Sequence, residues 1–344
     1  MRDSTNWLPT TYRSHTIGQI IAVGDDIVGE EVTIAGFAES VRGRGGICFV
    51  TLRDGTGKIQ AFLKKGSMDD ESFHAVQSSS RESTIMFRGT VARKRPPKTP
   101  EGAPPPPQEY EVTVSAAELL ATAQTPLPVG VIDDVNVGLD TRLDNRHLDV
   151  RRSHVNAMFI LRSKVLQYGR EHLIEEGFNE MNSPKIIASA SEGGTNLFPM
   201  MYFDTPAFLS QSPQLYKQLA VLGGLERVFE IGPAFRAEKH DTYRHLNEFV
   251  SFDIEAAWCD DEDVMGVLER MIHSIWRSVA ENDGHLIEII NHYRATQGLQ
   301  PVDVEIPKVP FPRISYDEAI DIVKSGGGQI EWGANGGGHA GNTE

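Results

Sequence analysis

Hydrophobic and polar residues alternate along the first 120 residues in short runs that predict β-strands. The runs cover residues 32–37, 47–52, 59–62, 84–87 and 110–114. Asp54-Gly55, with Gly57 close behind, predicts a hairpin between the second and third strands. A polar stretch at about 69–77 predicts a helix before the fourth strand. This order is typical of an all-β OB-fold, a small barrel that binds oligonucleotides on one face, although a barrel without a ligand also fits the strand count.

The pattern changes to helical spacing after residue 150. Apolar side chains at i, i+3, i+7 and i+10 predict a helix that starts near Ser153 and stops at Gly177. They are Met158, Leu161, Val165 and Tyr168. A strand is predicted at 227–231, and Asp253 lies in a second run that alternates with apolar residues.

Two later helix starts can be read from capping residues. The acidic residues 260–263 precede an apolar repeat at helical spacing, and the helix dipole explains them better than a metal ion does. Ser315 and Glu318 form the capping box of another helix. Residues 334–344 are glycine-rich and have no periodicity, so we expect this tail to be disordered.

A β-hairpin with a polar turn at 239–243 carries the densest cluster of candidate chemistry. Arg236 and Glu238, at i and i+2, would share one face of its first strand, and Arg244 would return opposite them. An arginine fork can hold a phosphate oxygen bidentately, and a nearby carboxylate can accept from an exocyclic amine or orient the arginine. A cross-strand salt bridge on the surface is the plainer alternative.

Composition narrows the class of protein. The chain has 344 residues, is 40% hydrophobic and carries a formal net charge of −15. It is long enough for two domains, and its charge argues against a uniformly basic surface while leaving room for local basic patches. Cys48 and Cys259 are too few for a disulfide framework or a zinc site. No run approaches the ~18 apolar residues of a membrane span, so we expect a soluble, cytoplasmic protein.

Four segments, in this order along the chain, carry a resemblance to a known family. They are Glu176-Gly177-Phe178 with Ser183-Pro184, QSPQLYK at 211–217, Phe235-Arg236-Ala237-Glu238 and RHLNEF at 244–249. Together they resemble the class II aminoacyl-tRNA synthetases, and specifically the archaeal-type aspartyl-tRNA synthetases. The resemblance implies an OB-fold anticodon-binding domain at 1–120, a hinge at 121–150 and an α+β catalytic domain at 151–333, built on an antiparallel sheet with flanking helices.

The resemblance also implies roles for individual residues. The catalytic residue would be Arg236, bridging the aspartate carboxylate and the α-phosphate of ATP. ATP binding is implied for Arg236, Ala237, Glu238, Arg244, His245 and Leu246. Aspartate binding is implied for Glu192, Gln214, Leu215, Tyr216, Lys217, Arg236 and Asp253. Without the resemblance, Lys217 would be read as a surface lysine, Glu192 as part of a solvated loop and Asp253 equally as a satisfied core carboxylate.

Lys217 is the residue on which substrate choice would depend. A buried cation can pair with the side-chain carboxylate of aspartate, and it would be left facing a neutral amide if asparagine entered. Pro184 is expected in a strand at the interface of a homodimer, again by resemblance.

The barrel would read the anticodon through Phe49, Gln60 and Arg53. An exposed ring can stack on a splayed base while an amide reads its Watson–Crick edge. By the resemblance, Phe49 and Gln60 match the family's anticodon-binding residues, although Phe49 alternates with apolar neighbours and could instead belong to the core. The partner would be tRNA(Asp), with tRNA(Asn) left open as a second acceptor.

The implied reaction is ATP-dependent activation of L-aspartate, with Mg²⁺ neutralising the phosphates, followed by transfer to tRNA. No metal ligand is assigned, because the match fades after Glu331-Trp332-Gly333, before the family's motif 3 and its magnesium-binding carboxylate. We therefore expect a C-terminally incomplete chain that binds tRNA weakly and shows no measurable ATP–pyrophosphate exchange. The alternatives are an inactive relative that binds tRNA and an asparaginyl-tRNA synthetase.

Overall fold

The structure is a computed structural model that describes residues 9–96, 107–131, 136–189, 197–239, 246–326, 330–332 and 338–340. The chain divides into two compact units, Met1–Arg152 and Ser153–Glu344. The segment 121–150, expected as a hinge, is part of the first unit. Each unit is considered by itself.

The first unit is a closed five-stranded barrel. Its elements are helix α1 (Ile17–Val23), a 3-10 turn (Gly24–Ile27), strands β1 (Glu31–Arg44), β2 (Ile47–Arg53) and β3 (Lys58–Lys64), helix α2 (Asp70–Gln77), and strands β4 (Thr84–Arg93) and β5 (Tyr110–Ala121). The strand order is β1-β2-β3-β5-β4, and β4 pairs back onto β1. The β3–β5 pair is parallel and the other barrel pairs are antiparallel. The predicted OB-fold, with its helix before the fourth strand, is confirmed.

Period-two alternation decides which residues of β2 and β3 fill the barrel. Six side chains from these strands are buried in its core: Cys48, Val50, Leu52, Ile59, Ala61 and Leu63. Phe49 and Gln60 have the opposite parity and lie on the outer face. The predicted hairpin turn between the strands is held by Asp54, whose Oδ1 accepts hydrogen bonds from the backbone N–H groups of Thr56 at 2.7 Å and Gly57 at 3.0 Å.

The end of the first unit contains a buried carboxylate. Helices α3 (Leu139–Asp144) and α4 (Arg146–Asp149) bring two arginines to Asp149, which has no exposed surface. Arg142 Nε and Arg146 Nη1 each donate to it at 2.7 Å. Burial raises the pKa of Asp149, but the hydrogen bonds from the two arginines outweigh it and hold the pKa below its usual value.

The second unit surrounds a hairpin with helices. Its elements are α5 (Ser153–Glu175), β6 (Asn179–Glu180), β7 (Ile186–Ile187), β8 (Pro199–Tyr202), β9 (Thr205–Leu209), α6 (Gln214–Ala220), a π-helical turn (Val221–Leu225), β10 (Arg227–Phe235), β11 (Glu248–Ala256), α7 (Asp261–Asn282), α8 (Gly284–Thr296), α9 (Tyr316–Ser325), β12 (Ile330–Trp332) and β13 (Gly338–Ala340). Helix α5 is followed by Gly177 at a φ of +82°, as its sequence predicts. The capping boxes of Asp260 on α7 and Ser315 on α9 are both present.

Strands β10 and β11 form an antiparallel hairpin with two different faces. Phe229 and Ile231 of β10 lie on one face with their partners Ile254 and Phe252, and they pack into a core with Leu173. Residues of the opposite parity, including Asp253, lie on the other face. The sheet was expected to be antiparallel, but β6 pairs with β10 in parallel and makes it mixed.

Two further findings concern the C-terminal tail and the helices of the described ranges. The tail was expected to be disordered, yet Gly338–Ala340 pairs antiparallel with Ile330–Trp332, so the expectation is wrong for these three residues. Among the helices of the described ranges, none is long and apolar enough to cross a membrane.

Gly89 is required by the close approach of β4 and β5. A Cβ added to Gly89 would lie 2.2 Å from the backbone oxygen of Thr113, whereas one added to Gly55 would meet nothing within 4 Å. We expect Gly89→Ala to lower the free energy of unfolding of the barrel by about 1–3 kcal/mol, because the β5 backbone must move. Chemical denaturation followed by circular dichroism measures this, with Gly55→Ala as the control. Equal stability of the two variants would contradict the packing described here.

Candidate functional site

The polar face of the β10–β11 hairpin holds a buried lysine. Lys217 lies on α6, and the exposed fraction of its side chain is 6%. Its Nζ donates to Asp253 Oδ1 at 3.2 Å and to the backbone oxygen of Ile254 at 3.1 Å, and it lies 3.6 Å from Glu255 Oε2. The ammonium group is therefore fixed between two carboxylates. The reading of Lys217 as an ordinary surface lysine is wrong.

Local geometry explains how these side chains meet. Gln214 and Lys217 stand at i and i+3 on α6 and share a face of the helix. Asp253 and Glu255 stand at i and i+2 on β11 and share a face of the strand. Gln214 Nε2 is 3.4 Å from Glu255 Oε2. A second hydrogen bond, 2.6 Å from Ser251 Oγ to Asp253 Oδ2, orients the carboxylate that contacts Lys217.

Glu255 and Ser251 were not identified from the sequence. Both have the same strand parity as Asp253, so the period-two pattern that singled out Asp253 contained the signal for them. Asp253 is a satisfied carboxylate in the structure, with Lys217 and Ser251 as partners. Its predicted contact with a substrate ammonium stays a prediction.

Arg236 lies at the other end of the same face. Its guanidinium carbon is 5.4 Å from the centre of the Phe249 ring, and Phe249 shares the strand parity of Asp253. Four residues of extended strand separate Phe249 and Asp253 by roughly 13 Å. The buried Nε of Arg236 has no hydrogen-bond partner among the described residues. A buried, unused donor on a cation fits an anionic ligand.

The expected strand position of Arg236 and Glu238 is wrong. The β10 strand ends at Phe235, and the next residues continue without strand pairing apart from one bond, from Arg236 N to the backbone oxygen of Asn247 at 3.0 Å. Period-two alternation therefore does not place Arg236 and Glu238 on one face. Ala237 and Glu238 are half-buried, whereas 63% of the surface of Leu246 is exposed.

Several predicted site residues remain untested. Glu192, Arg244 and His245 lie outside the described residues. Leu215 is 47% exposed and Tyr216 is half-buried on α6, so their proposed contacts with aspartate stay predictions.

Pro184 is exposed, but it is not in a strand as expected. It lies in the irregular segment between β6 and β7. The residues on either side of it, Ser183 and Lys185, are bound to the buried carboxylate of Glu230 on β10. Pro184 was expected at a dimer interface, whereas the sequence did not suggest a role for these flanking polar residues.

A second candidate site lies on the outer face of the barrel. Phe49 is 38% exposed, so the alternative that it belongs to the core is wrong. Its ring centre is 5.2 Å from that of Phe62, its partner on β3. Gln60 lies opposite Thr51 and donates to Glu111 Oε2 at 2.7 Å. The face therefore presents an aromatic pair beside an amide.

A cavity of about 390 Å³ adjoins this face. Gln60 and Thr51 line it together with three basic side chains, Arg42, Lys58 and Lys94. The overall charge of the chain is strongly negative. Glu109 also lines the cavity and pairs with Lys94, while Lys58 pairs with Glu39. Basic side chains beside the exposed ring of Phe49 are features by which proteins bind single-stranded nucleic acid.

Arg53 does not belong to this surface. It is only 9% exposed, and its Nη2 donates to both carboxylate oxygens of Glu82 at 2.8 and 2.9 Å. Its Nη1 donates to the backbone oxygen of Arg151 at 3.1 Å. The predicted contact of Arg53 with the anticodon is corrected to a structural role, because its donors are already used inside the unit.

The described part of the chain groups no three His, Cys, Asp or Glu side chains in a way that could hold a metal ion. Among the carboxylates on the polar face, Asp253 and Glu255 both contact Lys217, and Glu230 is bound by Lys185 and Ser183. The described residues therefore do not form a site that fits Mg²⁺.

Comparison with known proteins shows the family of each part of the chain. The family model for tRNA synthetases class II (D, K and N) matches residues 138–336, and the model for the OB-fold nucleic acid binding domain matches residues 32–120. The chain belongs to the class II tRNA synthetases. Within this class it belongs to the aspartate–tRNA(Asp/Asn) ligase family, as its relatives show.

Two archaeal relatives illustrate the match. The aspartate–tRNA(Asp/Asn) ligase of Methanococcoides burtonii is 43% identical over 328 residues, which cover 94% of this chain and 69% of the relative. That of Archaeoglobus fulgidus is 44% identical over 311 residues, covering 90% and 68%. The chain thus spans about two thirds of the length of the curated relatives it matches.

Solved structures show the same fold. Asparaginyl-tRNA synthetase from Pyrococcus horikoshii, complexed with asparaginyl-adenylate, matches with a TM-score of 0.74 and 34% identity, covering 91% of this chain and 68% of that one. Aspartyl-tRNA synthetase from Entamoeba histolytica matches with a TM-score of 0.72 and 30% identity, covering 91% and 63%.

The buried position of Arg53 leads to a stability prediction. We expect Arg53→Met to lower the free energy of unfolding by about 2–4 kcal/mol, because Glu82 would stay buried with Arg151 as its remaining ionic partner. The control is Arg93→Met, which removes an exposed pair with Asp25 and should cost less than about 1 kcal/mol. Urea denaturation of both variants measures the difference. A loss no larger than that of the control would show that Arg53 is not held as described.

Proposed function

We propose that the chain carries the aspartate-activating site of an aspartate–tRNA ligase. Such a ligase uses ATP and L-aspartate to form aspartyl-adenylate and passes the aspartyl group to tRNA(Asp) or, as the alternative acceptor, tRNA(Asn). The observation that carries this proposal is the buried ammonium of Lys217 on the polar face of the hairpin, between Asp253 and Glu255.

Charge is the basis of the proposed choice of substrate. The side-chain carboxylate of aspartate would accept hydrogen bonds from Lys217, whereas the amide of asparagine would bring no charge to a buried cation. A site that pairs a buried charge discriminates more strongly against an uncharged isostere than a site that measures shape alone. The curated relatives, which act on aspartate by name, agree with this choice.

Adenylate formation needs positioning more than covalent chemistry by the protein. An α-carboxylate oxygen of aspartate would attack the α-phosphorus of ATP in line, and pyrophosphate would leave with the electrons of the broken P–O bond. Arg236, whose buried Nε has no hydrogen-bond partner in the part of the chain that the structure describes, would stabilise the charge that develops on the phosphate. A ribose hydroxyl of the tRNA would then attack the activated carbonyl, and AMP would leave.

Further parts of the proposal come from the family. ATP would bring Mg²⁺, which neutralises phosphate charge when bound. None of the steps above is assigned to it, since the described residues provide no fitting ligands. Glu238 would contribute to the ATP site. Exposed Pro184 would lie at the interface of a homodimer.

Two other functions make different predictions for ligand binding. An asparaginyl-tRNA synthetase would prefer asparaginyl-adenylate, the ligand of the P. horikoshii structure. A relative that only binds tRNA would bind neither adenylate. Calorimetry with non-hydrolysable sulfamoyl analogues of both adenylates separates the three, and the proposal requires preference for the aspartyl analogue.

Lys217→Met tests the residue directly. We expect the dissociation constant of the aspartyl-adenylate analogue to rise by roughly 10²-fold or more, because the substrate carboxylate loses its buried partner. The asparaginyl analogue should be affected much less. Lys308→Met, which changes an exposed lysine in the same unit, is the control. Unchanged affinity of the Lys217 variant for the aspartyl analogue would remove the assignment.

Phe49→Ala tests the proposed anticodon surface. Binding of a tRNA(Asp) transcript should weaken by about 1–3 kcal/mol, the usual worth of one base stacked on an aromatic ring. Affinity for the aspartyl-adenylate analogue should not change. A filter-binding titration measures the effect, and Tyr316→Ala removes an exposed ring from the other unit as a control. If tRNA binding is unchanged, the barrel does not use Phe49 to hold a base.

A further inference from the structure

A second ion pair, between half-buried Lys185 and buried Glu230, involves a neighbour of Asp253 on the polar face. Glu230 on β10 is 2% exposed, and one of its oxygens lies 2.8 Å from Lys185 Nζ. Ser183 binds the same carboxylate through its Oγ at 2.7 Å and its backbone N–H at 3.2 Å. Lys185 also donates to Ser183 Oγ at 3.0 Å. Glu230 is thus bound from one short segment on either side of Pro184.

The register of the hairpin places this pair next to the candidate substrate site. Glu230 is directly opposite Asp253 in the antiparallel ladder. Directly opposite residues share a face, with Cβ atoms roughly 4.5–5.5 Å apart. Gly232 leaves room for the buried carboxylate, because a Cβ there would lie 3.0 Å from Glu230 Oε1. Glu230 and Asp253 are therefore neighbouring anions on the polar face.

Two carboxylates in this arrangement repel each other unless each has a cation of its own. In the structure Lys185 pairs with Glu230, whereas Lys217 pairs with Asp253 and also lies 3.6 Å from Glu255 Oε2. If Lys185 lost its charge, the negative potential of Glu230 at Asp253 and at the ammonium of Lys217 would no longer be offset. A further carboxylate arriving with the substrate would then meet an excess of negative charge.

We propose that Lys185 is a specificity-determining residue that neutralises Glu230 and so keeps the charge of Lys217 available for an incoming carboxylate. This inference rests on the proposed function. It assigns Lys185 an electrostatic effect on the substrate site through Glu230, without contact with the substrate. Ser183 supports the same role by holding the Glu230 carboxylate in its position.

The test uses the full chain, the sulfamoyl analogues of aspartyl- and asparaginyl-adenylate, and three variants. For Lys185→Met we expect the affinity for the aspartyl analogue to fall by about tenfold or more, and that for the asparaginyl analogue to fall by less than about threefold. For Glu230→Gln we expect both affinities to stay within about threefold of the unchanged chain, since removing the anion creates no repulsion. The double variant should recover the affinity that Lys185→Met loses.

The double variant distinguishes an electrostatic effect of Lys185 on the site from a purely structural role of this residue. A purely structural role for Lys185 would lower both affinities together, and Glu230→Gln would not restore them. That result would overturn the inference, as would unchanged aspartyl affinity in Lys185→Met. If the Lys185 variant does not fold, loss of aspartyl preference in Glu230→Gln overturns the inference and its retention supports it. Absence of aspartyl preference in the unchanged chain would instead contradict the proposed function and remove the inference with it.

Discussion

The buried ammonium of Lys217 imposes the constraint on which the polar face of the second unit depends. A cation with 6% of its side chain exposed must have anionic partners, and Asp253 and Glu255 supply them from one face of β11. Alternation of side chains along the two strands gives the hairpin two faces. Phe229 and the residues of its parity pack in the apolar core, while Asp253 and Glu255 lie on the polar face with Lys217.

The same division organises the neighbourhood of the site. The polar face carries Phe249, beneath the Arg236 guanidinium, and Glu230, which has its own lysine. Charges of both signs are thus placed in pairs along one surface, and Arg236 retains a buried donor without a partner among the described residues. In our account, this unused capacity receives the phosphate of ATP, while Lys217 receives the side chain of aspartate.

A different constraint, the filling of a closed interior, applies to the barrel. A small closed barrel must send every second side chain inward, and β2 and β3 use aliphatic residues and Cys48 for this purpose. Phe49 and Gln60 are consequently left on the outer face beside a cavity that Arg42, Lys58 and Lys94 help to line. The acidic character of the whole chain does not prevent basic side chains from clustering locally, because screening limits the reach of each charge to about 10 Å.

Much of this architecture could be predicted from the sequence, because strand parity, turn residues and helix caps act locally. The predictions were wrong where segments distant in the sequence determine the position of a side chain. Arg53 has the outer parity of Phe49, but Glu82 and Arg151 cover it, and both are far away along the chain. Arg236 and Glu238 follow a strand pattern in the sequence, yet the ladder of β10 stops at Phe235. Lys185 could not be assigned a role until the register placed Glu230 opposite Asp253.

The central claim is that Lys217 binds the side-chain carboxylate of aspartate. The most direct measurement is a crystal structure of the chain with the non-hydrolysable aspartyl-adenylate analogue. We expect the side-chain carboxylate to lie within hydrogen-bond distance of Lys217 Nζ. An analogue bound with this carboxylate elsewhere, while Nζ keeps only its present contacts with Asp253 and Glu255, would contradict the claim.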